Sequence, residues 1–420
     1  MKYHSLKGIY YQDRDRYRQV IHERTEDPVA VHTGLMIHPF DRHLGHRLVD
    51  SVELFYLPIN QLNCLIDRIY QNSLKILRLR ADLPQQVDQQ LALNTMIEEI
   101  QNTNDIEGIR SSKKDLNLAL NSALRHSSNQ IRFQGLVTHY LRIGQSQAGF
   151  ISEIKDFRRL WDELVGDEEV DNRPDGQLFR KEAEAIYDGD RQIYAGDNNE
   201  TEILNDLESL LAFMNSNDFA TLPKVIISHY FYEYIHPFYD GNGRTGRYII
   251  CAYLAHYLDA LTAINFSSAI ADDKNRYYKP FMEIGNPINH GDATLFIIQI
   301  MEIILIGQEK ALEQLSTGIN RLKHADQMLD DLLPLPVGLS DRQRNIVVGM
   351  REIVRYLYQQ AVFCYSLNAI TDQDLAKVLR TTRYRLDQQM SHLEAQGIIK
   401  LMQEKPKIHQ LTNDAYLKLD

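Results

Sequence analysis

The sequence predicts a mainly α-helical protein with a small β-hairpin in its middle and a separate helix–helix–helix–hairpin module at its end. Three observations carry that prediction. Apolar residues recur at helical spacing over most of the stretch from about 57 to 315. One two-strand pattern with an Asp-Gly turn interrupts that stretch near residue 188. A segment with two prolines and a glycine, Leu333-Pro334-Leu335-Pro336-Val337-Gly338-Leu339-Ser340, then sets off the remainder. With 420 residues, 44% of them hydrophobic, the chain can bury a large core and is long enough for two or three domains.

Residues 1 to about 60 are rich in aromatics and histidines and show no strong periodicity; His38-Pro39-Phe40-Asp41-Arg42 reads as a loop. Helices are expected over 57–81 and 84–108, the second ending at Gly108 as a C-cap and burying Thr95, Met96, Ile97, Ile100 and Ile106. Ser111-Ser112-Lys113-Lys114-Asp115 restarts a helix with a polar cap. Further helices are expected at 130–144, 148–164 (holding the only tryptophan, Trp161), 201–216, 222–236, 244–257 and from Asp272. The stretch 222–235 reads as amphipathic. The hairpin runs from 178 to 194 through Asp188-Gly189-Asp190, and Asn289-His290-Gly291-Asp292-Ala293-Thr294 caps a last core helix that runs to about Leu315. Beyond the linker, helices at 341–360, 375–379 and 381–396 precede strands at 398–401 and 408–411. That is winged-helix order.

Net charge is −11, which argues against a general nucleic-acid or membrane binder. The balance is uneven: from Asp341 onward twelve Lys+Arg stand against nine Asp+Glu. Cys64, Cys251 and Cys364 lack metal spacing and fit a reducing compartment. The start of the chain has no apolar signal region, and the most apolar run, 295–306, contains Gln299 and Glu302 and is too short to span a bilayer. The expectation is a soluble, cytoplasmic protein.

The chemistry concentrates in His236-Pro237-Phe238-Tyr239-Asp240-Gly241-Asn242-Gly243-Arg244-Thr245-Gly246-Arg247. Glycines let backbone N–H groups approach phosphate oxygens, and a helix starting near Asn242 would aim its positive end at the same anion. Arg244 and Arg247 sit at i and i+3, so both forks would face one side. Asp240 is a hard oxygen ligand suited to Mg²⁺, and His236 can accept a proton near neutral pH. Gly241 to Gly246 also reads G-x-G-x-x-G, but the dinucleotide fingerprint wants a short strand running into its first glycine, and a helical stretch and five other residues precede it here. Phe238 alone fits a packing role.

This segment matches the HPFx[D/E]GNGRxxR signature and so resembles the Fic family of nucleotidyl transferases. The resemblance implies Mg²⁺-dependent transfer of AMP from ATP to a Ser, Thr or Tyr hydroxyl of a protein target, this chain among the candidates. It implies that His236 deprotonates the hydroxyl and Asp240 holds the metal. Phe238, Gly241, Asn242, Gly243, Arg244, Thr245, Gly246 and Arg247 would form the nucleotide site, and Tyr277 is a candidate base contact or, alternatively, a seam residue. Gly243 stands where phosphotransferase relatives carry lysine, which favours nucleotidyl transfer.

Thr103-Asn104-Asp105-Ile106-Glu107-Gly108 is similar to the family's inhibitory motif, [S/T]xxxE[G/N], implying that Glu107 pairs with Arg247 and occupies the γ-phosphate position. The 178–194 hairpin resembles the flap that presents the target segment. Two rival readings are removal of AMP with Glu107 acting on a water, and a winged-helix regulator whose core only senses nucleotide. In the terminal module Arg383, Arg385, Lys400, Lys405 and Lys407 could meet phosphates, but Asp387 and Glu394 weaken that case. A dimer or partner-binding module, giving a homo-oligomer, is therefore preferred to DNA. The expected division is 1–115, 116–332 and 340–420.

Overall fold

The computed structural model describes residues 3–125, 131–166, 168, 172–188, 191–363 and 370–420. Two short helices, α1 (Leu6–Gln12) and α2 (Arg14–Thr25), come first, each started by a side chain, Ser5 or Asp13, that accepts first-turn N–H groups. Strands β1 (Val31–Ile37), β2 (Phe40–Asp41), β3 (His46–Arg47) and β4 (Val52–Tyr56) follow, with β1 antiparallel to β4 and β2 to β3. No strand was expected here. In β1 the buried residues Thr33, Leu35 and Ile37 do alternate, but the glycine and histidines around them hide the period.

The helices α3 (Asn60–Ala81), α4 (Gln85–Ile106), α5 (Lys113–Leu124), α6 (Gln134–Gly144) and α7 (Ile154–Val165) precede the hairpin of β5 (Ala185–Asp188) and β6 (Arg191–Ala195). The hairpin pairs Ala185 with Ala195 and Asp188 with Arg191; Gly189 and Asp190 of the expected turn lie outside the described residues. Next come α8 (Glu200–Asn215), α9 (Thr221–Ile235), α10 (Asn242–Tyr257), α11 (Ala260–Ala263), α12 (Phe266–Ala271), α13 (Lys274–Ile284) and the long α14 (Thr294–Leu332). α15 (Asp341–Phe363), α16 (Asp372–Val378), α17 (Arg383–Ala395), β7 (Ile399–Glu404), β8 (Lys407–Leu411) and α18 (Asn413–Leu419) complete the chain. The protein is mainly helical, with its strands confined to small hairpins.

Helices α9 and α10 form the centre, with α8 and α11 packed on them and α6 and α7 against α10. The amphipathic reading of 222–235 does not hold. Every residue of α9 is buried except Thr221 and Glu233, so the helix is surrounded on all sides.

The chain divides into two compact units: 1–77 with 95–311, and 78–94 with 312–420. Residues 78–94 of the expected N-terminal region and 312–332 of the expected core fall in the second unit, so one boundary lies inside α14. In the second unit α15 packs on α17 and β8. His409 of β8 sits between Asp372 (2.8 Å) and Glu394 (3.2 Å), tying the hairpin to α16 and α17. Arg321 of α14 bonds Asp420 and the Tyr416 hydroxyl of α18.

Candidate functional site

α9 stops because His236 takes the left-handed conformation (φ 53°, ψ 62°) and Pro237 cannot continue a helix. The loop that follows is held by residues inside the motif. Phe238 is buried, stacked on Trp161 with centroids 5.0 Å apart and tilted against Phe179. Trp161 Nε1 donates to the Asp240 carbonyl at 2.7 Å. Asn242 Oδ1 accepts the Phe238 N–H (2.9 Å) while its Nδ2 donates to the Phe238 carbonyl (2.6 Å). Thr245 Oγ1 donates to the Gly241 carbonyl at 2.9 Å. Gly241 has φ +80°, and a Cβ there would lie 2.9 Å from Val165 and 3.0 Å from Trp161. No described side chain caps the first turn of α10, so its first N–H groups are left without an intrahelical partner.

His236 is held from behind by a fully buried arginine that sequence reasoning missed. Arg180 donates to the carbonyls of His236 (2.7 Å), Ile235 (3.2 Å), Asp197 (2.6 Å) and Glu182. Gly196 lets it in: a Cβ there would lie 2.5 Å from Arg180 Nη2 and 2.8 Å from His236 Cβ. Arg47 of β3 does the same for the hairpin, donating to Ala195 O (2.7 Å), Tyr234 O (3.0 Å) and the Asp197 carboxylate (2.8 Å). Burial, and then the Arg180 charge, pull His236 down to about 4, with the Glu233 backbone and Glu107 opposing. The imidazole is therefore neutral at pH 7. Its Nδ1 is buried on the side of the Glu233 backbone.

Both motif arginines are buried and each holds a carboxylate. Arg244 Nη1 meets Glu168 Oε1 at 2.5 Å, a partner the sequence did not reveal. Arg247 donates through Nε to Thr103 Oγ1 (2.8 Å) and through Nη2 to the Thr103 carbonyl (3.2 Å) and Glu107 Oε1 (2.6 Å). Thr103 and Glu107 are thereby brought to a helix 140 residues or more away in the chain. The Glu107 side chain remains 28% exposed. Burial would raise its carboxyl, but Arg247, then Arg244 and His236, hold it below the usual carboxylate range. Burial opposes the Arg247 charge, and Glu107, Tyr277, Glu233 and Tyr278 together more than restore it. A Cβ at 243 would collide with Glu107 Oε1, so the carboxylate's approach requires this glycine. Gly108 has φ +72° and Ile109 N–H reaches Asn104 O (2.9 Å), so the same residues also form an ordinary helix C-cap.

α4 is clipped deeper down as well. Glu99, two turns before Glu107, is fully buried and accepts the Ser267 and Ser268 N–H groups at 2.8 and 3.2 Å. Asn102 bonds Ser268 Oγ (2.8 Å), and Lys274 caps the Asp105 carbonyl (2.8 Å). Tyr277 lies in the core at 2% exposure, its hydroxyl 2.8 Å from His229 Nε2 and its ring against Phe266, Tyr278 and Phe281. The exposed member of the pair is Tyr278, at 40%, whose phenol burial and Glu107 push up to about 12.

Asp240 is exposed, and its Oδ1 accepts the Gly241 N–H at 2.6 Å. Among the described residues no three His, Cys, Asp or Glu side chains gather as a metal cage. A single outward carboxylate fits Mg²⁺, which keeps waters and binds substrate phosphates rather than sitting in an all-protein site.

Residues 152–254, from α7 to α10, match the model of the Fic/DOC family. Over 71 residues the chain is 42% identical to a protein adenylyltransferase Fic of Nematostella vectensis, a match covering 17% of this chain and 14% of that relative. A crystal structure of a Fic family protein from Desulfovibrio desulfuricans G20 superposes with a TM-score of 0.50 at 17% identity, over 85% of this chain and 98% of that one. That likeness is one of fold. Within 152–254 the chain is thus similar to the Fic/DOC family.

Proposed function

We propose that this protein is an adenylyltransferase that moves AMP from ATP to a Ser, Thr or Tyr hydroxyl of a protein, and that Glu107 holds it inactive. The observation that carries the reading is the pairing of a neutral, half-buried histidine with the uncapped first turn of α10 and two buried arginines. His236 takes the proton of the target hydroxyl. The hydroxyl oxygen bonds the α-phosphorus, the bond to the leaving oxygen breaks, and pyrophosphate departs. The α10 amides hold the α-phosphate region, and Asn242 keeps the loop in shape through its two bonds to the Phe238 backbone. Arg247, once released by Glu107, takes the outer phosphate. Mg²⁺ on Asp240 supplies neutralisation of phosphate charge.

Hairpin β5–β6 offers its edge to the target backbone, and Arg47 and Arg180 hold its base against the His236 turn. Glu107 and His236 act on one another's charge, which favours as a second reading the hydrolysis of the protein–AMP bond with Glu107 positioning water. The terminal module is assigned, as a winged helix, to self-association or a protein partner.

The test is His236→Ala assayed with labelled ATP and Mg²⁺. AMP transfer should fall by about 10²–10⁴ while ATP binding persists. Undiminished transfer would rule out the assignment.

A further inference from the structure

Gly243 and Gly246 stand at i and i+3 on α10, and a carboxylate oxygen occupies the space each leaves. A Cβ at 243 would collide with Glu107 Oε1; one at 246 would collide with Glu233 Oε1. The two carboxyls come from different helices, the end of α4 and the last turn of α9, and both act on the charge of Arg247. Glu107 has a hydrogen bond to that arginine, whereas Glu233 Oε1 is buried and has no partner among the described residues. Glu233 is thus a second carboxyl beside the phosphate-seeking arginine, left unused while Glu107 is in place.

The groups that face Glu233 decide its charge. They are Arg247 from α10, Glu107 from the end of α4, Tyr277 and Tyr278 from α13, and Tyr232 and His236 adjoining it on its own helix. Burial pushes the Glu233 carboxyl up to about 8, Arg247 pulls against that, and the Glu107 charge adds to the rise. While Glu107 neutralises Arg247, Glu233 stays protonated at neutral pH. Withdrawal of Glu107 removes a like charge and exposes the arginine's field, and both changes favour ionised Glu233.

We infer that Glu233 is a second acidic gate on Arg247, becoming the arginine's counter-charge when Glu107 withdraws and yielding, by taking up a proton, when an outer phosphate arrives. This rests on the reading that Arg247 receives the outer phosphate of the nucleotide. Glu233 is a positioning residue acting through Arg247. Its effect is confined to ligands that bear that phosphate, and grows as pH rises.

Two variants test it, Glu107→Gly and Glu107→Gly with Glu233→Gln, the glutamine keeping shape and hydrogen bonding but unable to ionise. Calorimetry would give the affinity of each for ATP and for AMP, with Mg²⁺, at pH 6 and pH 9. At pH 6 the two should bind ATP alike; at pH 9 the double variant should bind it about tenfold more tightly, the size of one pKa unit. The nucleotide's own titration is common to both and cancels. AMP, lacking outer phosphates, should show no gap. Equal ATP affinities at pH 9, or the same gap for AMP, would overturn the gate. If the double variant fails to fold, the single one suffices: at pH 8, ATP binding to Glu107→Gly should take up more protons from the buffer than AMP binding does, and equal uptake would refute the proposal. A Glu107→Gly protein that shows the gap but transfers no AMP would sink the transferase reading and leave the gate standing. ATP bound no better than AMP by either variant would remove Arg247 as the phosphate site, and the gate with it.

Discussion

His236 can serve as the proposed base only if it is neutral near pH 7, and its surroundings secure that. Burial and the Arg180 guanidinium both disfavour the imidazolium, so the proton leaves at about 4 instead of 6.5. A lowered histidine is neutral above its shifted value and loses base function only as pH falls through it. Removing Glu107 takes away a group that raises His236, so the shift survives in the released enzyme. At saturating ATP, the AMP-transfer rate of Glu107→Gly should therefore hold from pH 8 to below pH 6. A rate profile with its acid midpoint near 6.5 would show that burial and Arg180 do not act on this histidine. At this scale the motif residues were legible in the sequence because they are contiguous. Arg180, Arg47 and Glu168 were not, because a charged side chain in a sequence carries no sign of which distant carbonyl or guanidinium it will meet.

Among the elements, α7 shapes the loop as much as the helices that bound it. Trp161 stacks on Phe238 and donates to the Asp240 carbonyl, so it sets the floor of the loop and fixes the Asp240 backbone. Trp161→Phe keeps the stack and loses the hydrogen bond and some volume, which should cost about 1–2 kcal/mol in a urea titration followed by circular dichroism. Trp161→Ala should cost about 3–5 kcal/mol and weaken ATP binding besides. An alanine variant of wild-type stability would contradict the packing role. The sequence showed this residue as the only tryptophan, and its spacing placed it on a helix, but nothing local announced its partner. β1 to β4 escaped sequence reading because the strands are short and their exposed positions carry glycine and histidine, which blur alternation. α9 misled it in the opposite sense: tyrosines and a histidine look like an outer face, yet all are buried, His229 against Tyr277.

Over the whole molecule, two compact units interleave along the chain, since α4 and α14 each contribute to both. A division by linker composition could not foresee that, because the prolines at 334 and 336 mark a turn within the second unit. That unit exposes Arg383, Tyr384 and Arg385 at the start of α17, with acidic Asp387 beside them. If the module serves protein contacts, DNA retention in a gel-shift series at two salt concentrations should be negligible, and Arg383→Gln with Arg385→Gln should leave it so. Retention that falls steeply with salt and drops in this variant would assign DNA instead.

The proposed restraint is likewise a long-range matter, a helix end near residue 107 closing on a helix that begins at 242. Measurement of AMP incorporation from labelled ATP and Mg²⁺ into the protein itself and into a cell lysate, wild type against Glu107→Gly, tests that claim most directly. The variant should incorporate AMP well above wild type, while Arg247→Ala, which frees the glutamate but deletes the phosphate's partner, should not. Equal incorporation by Glu107→Gly and wild type across ATP and metal concentrations would contradict the account and leave Glu107 as no more than the end of a helix.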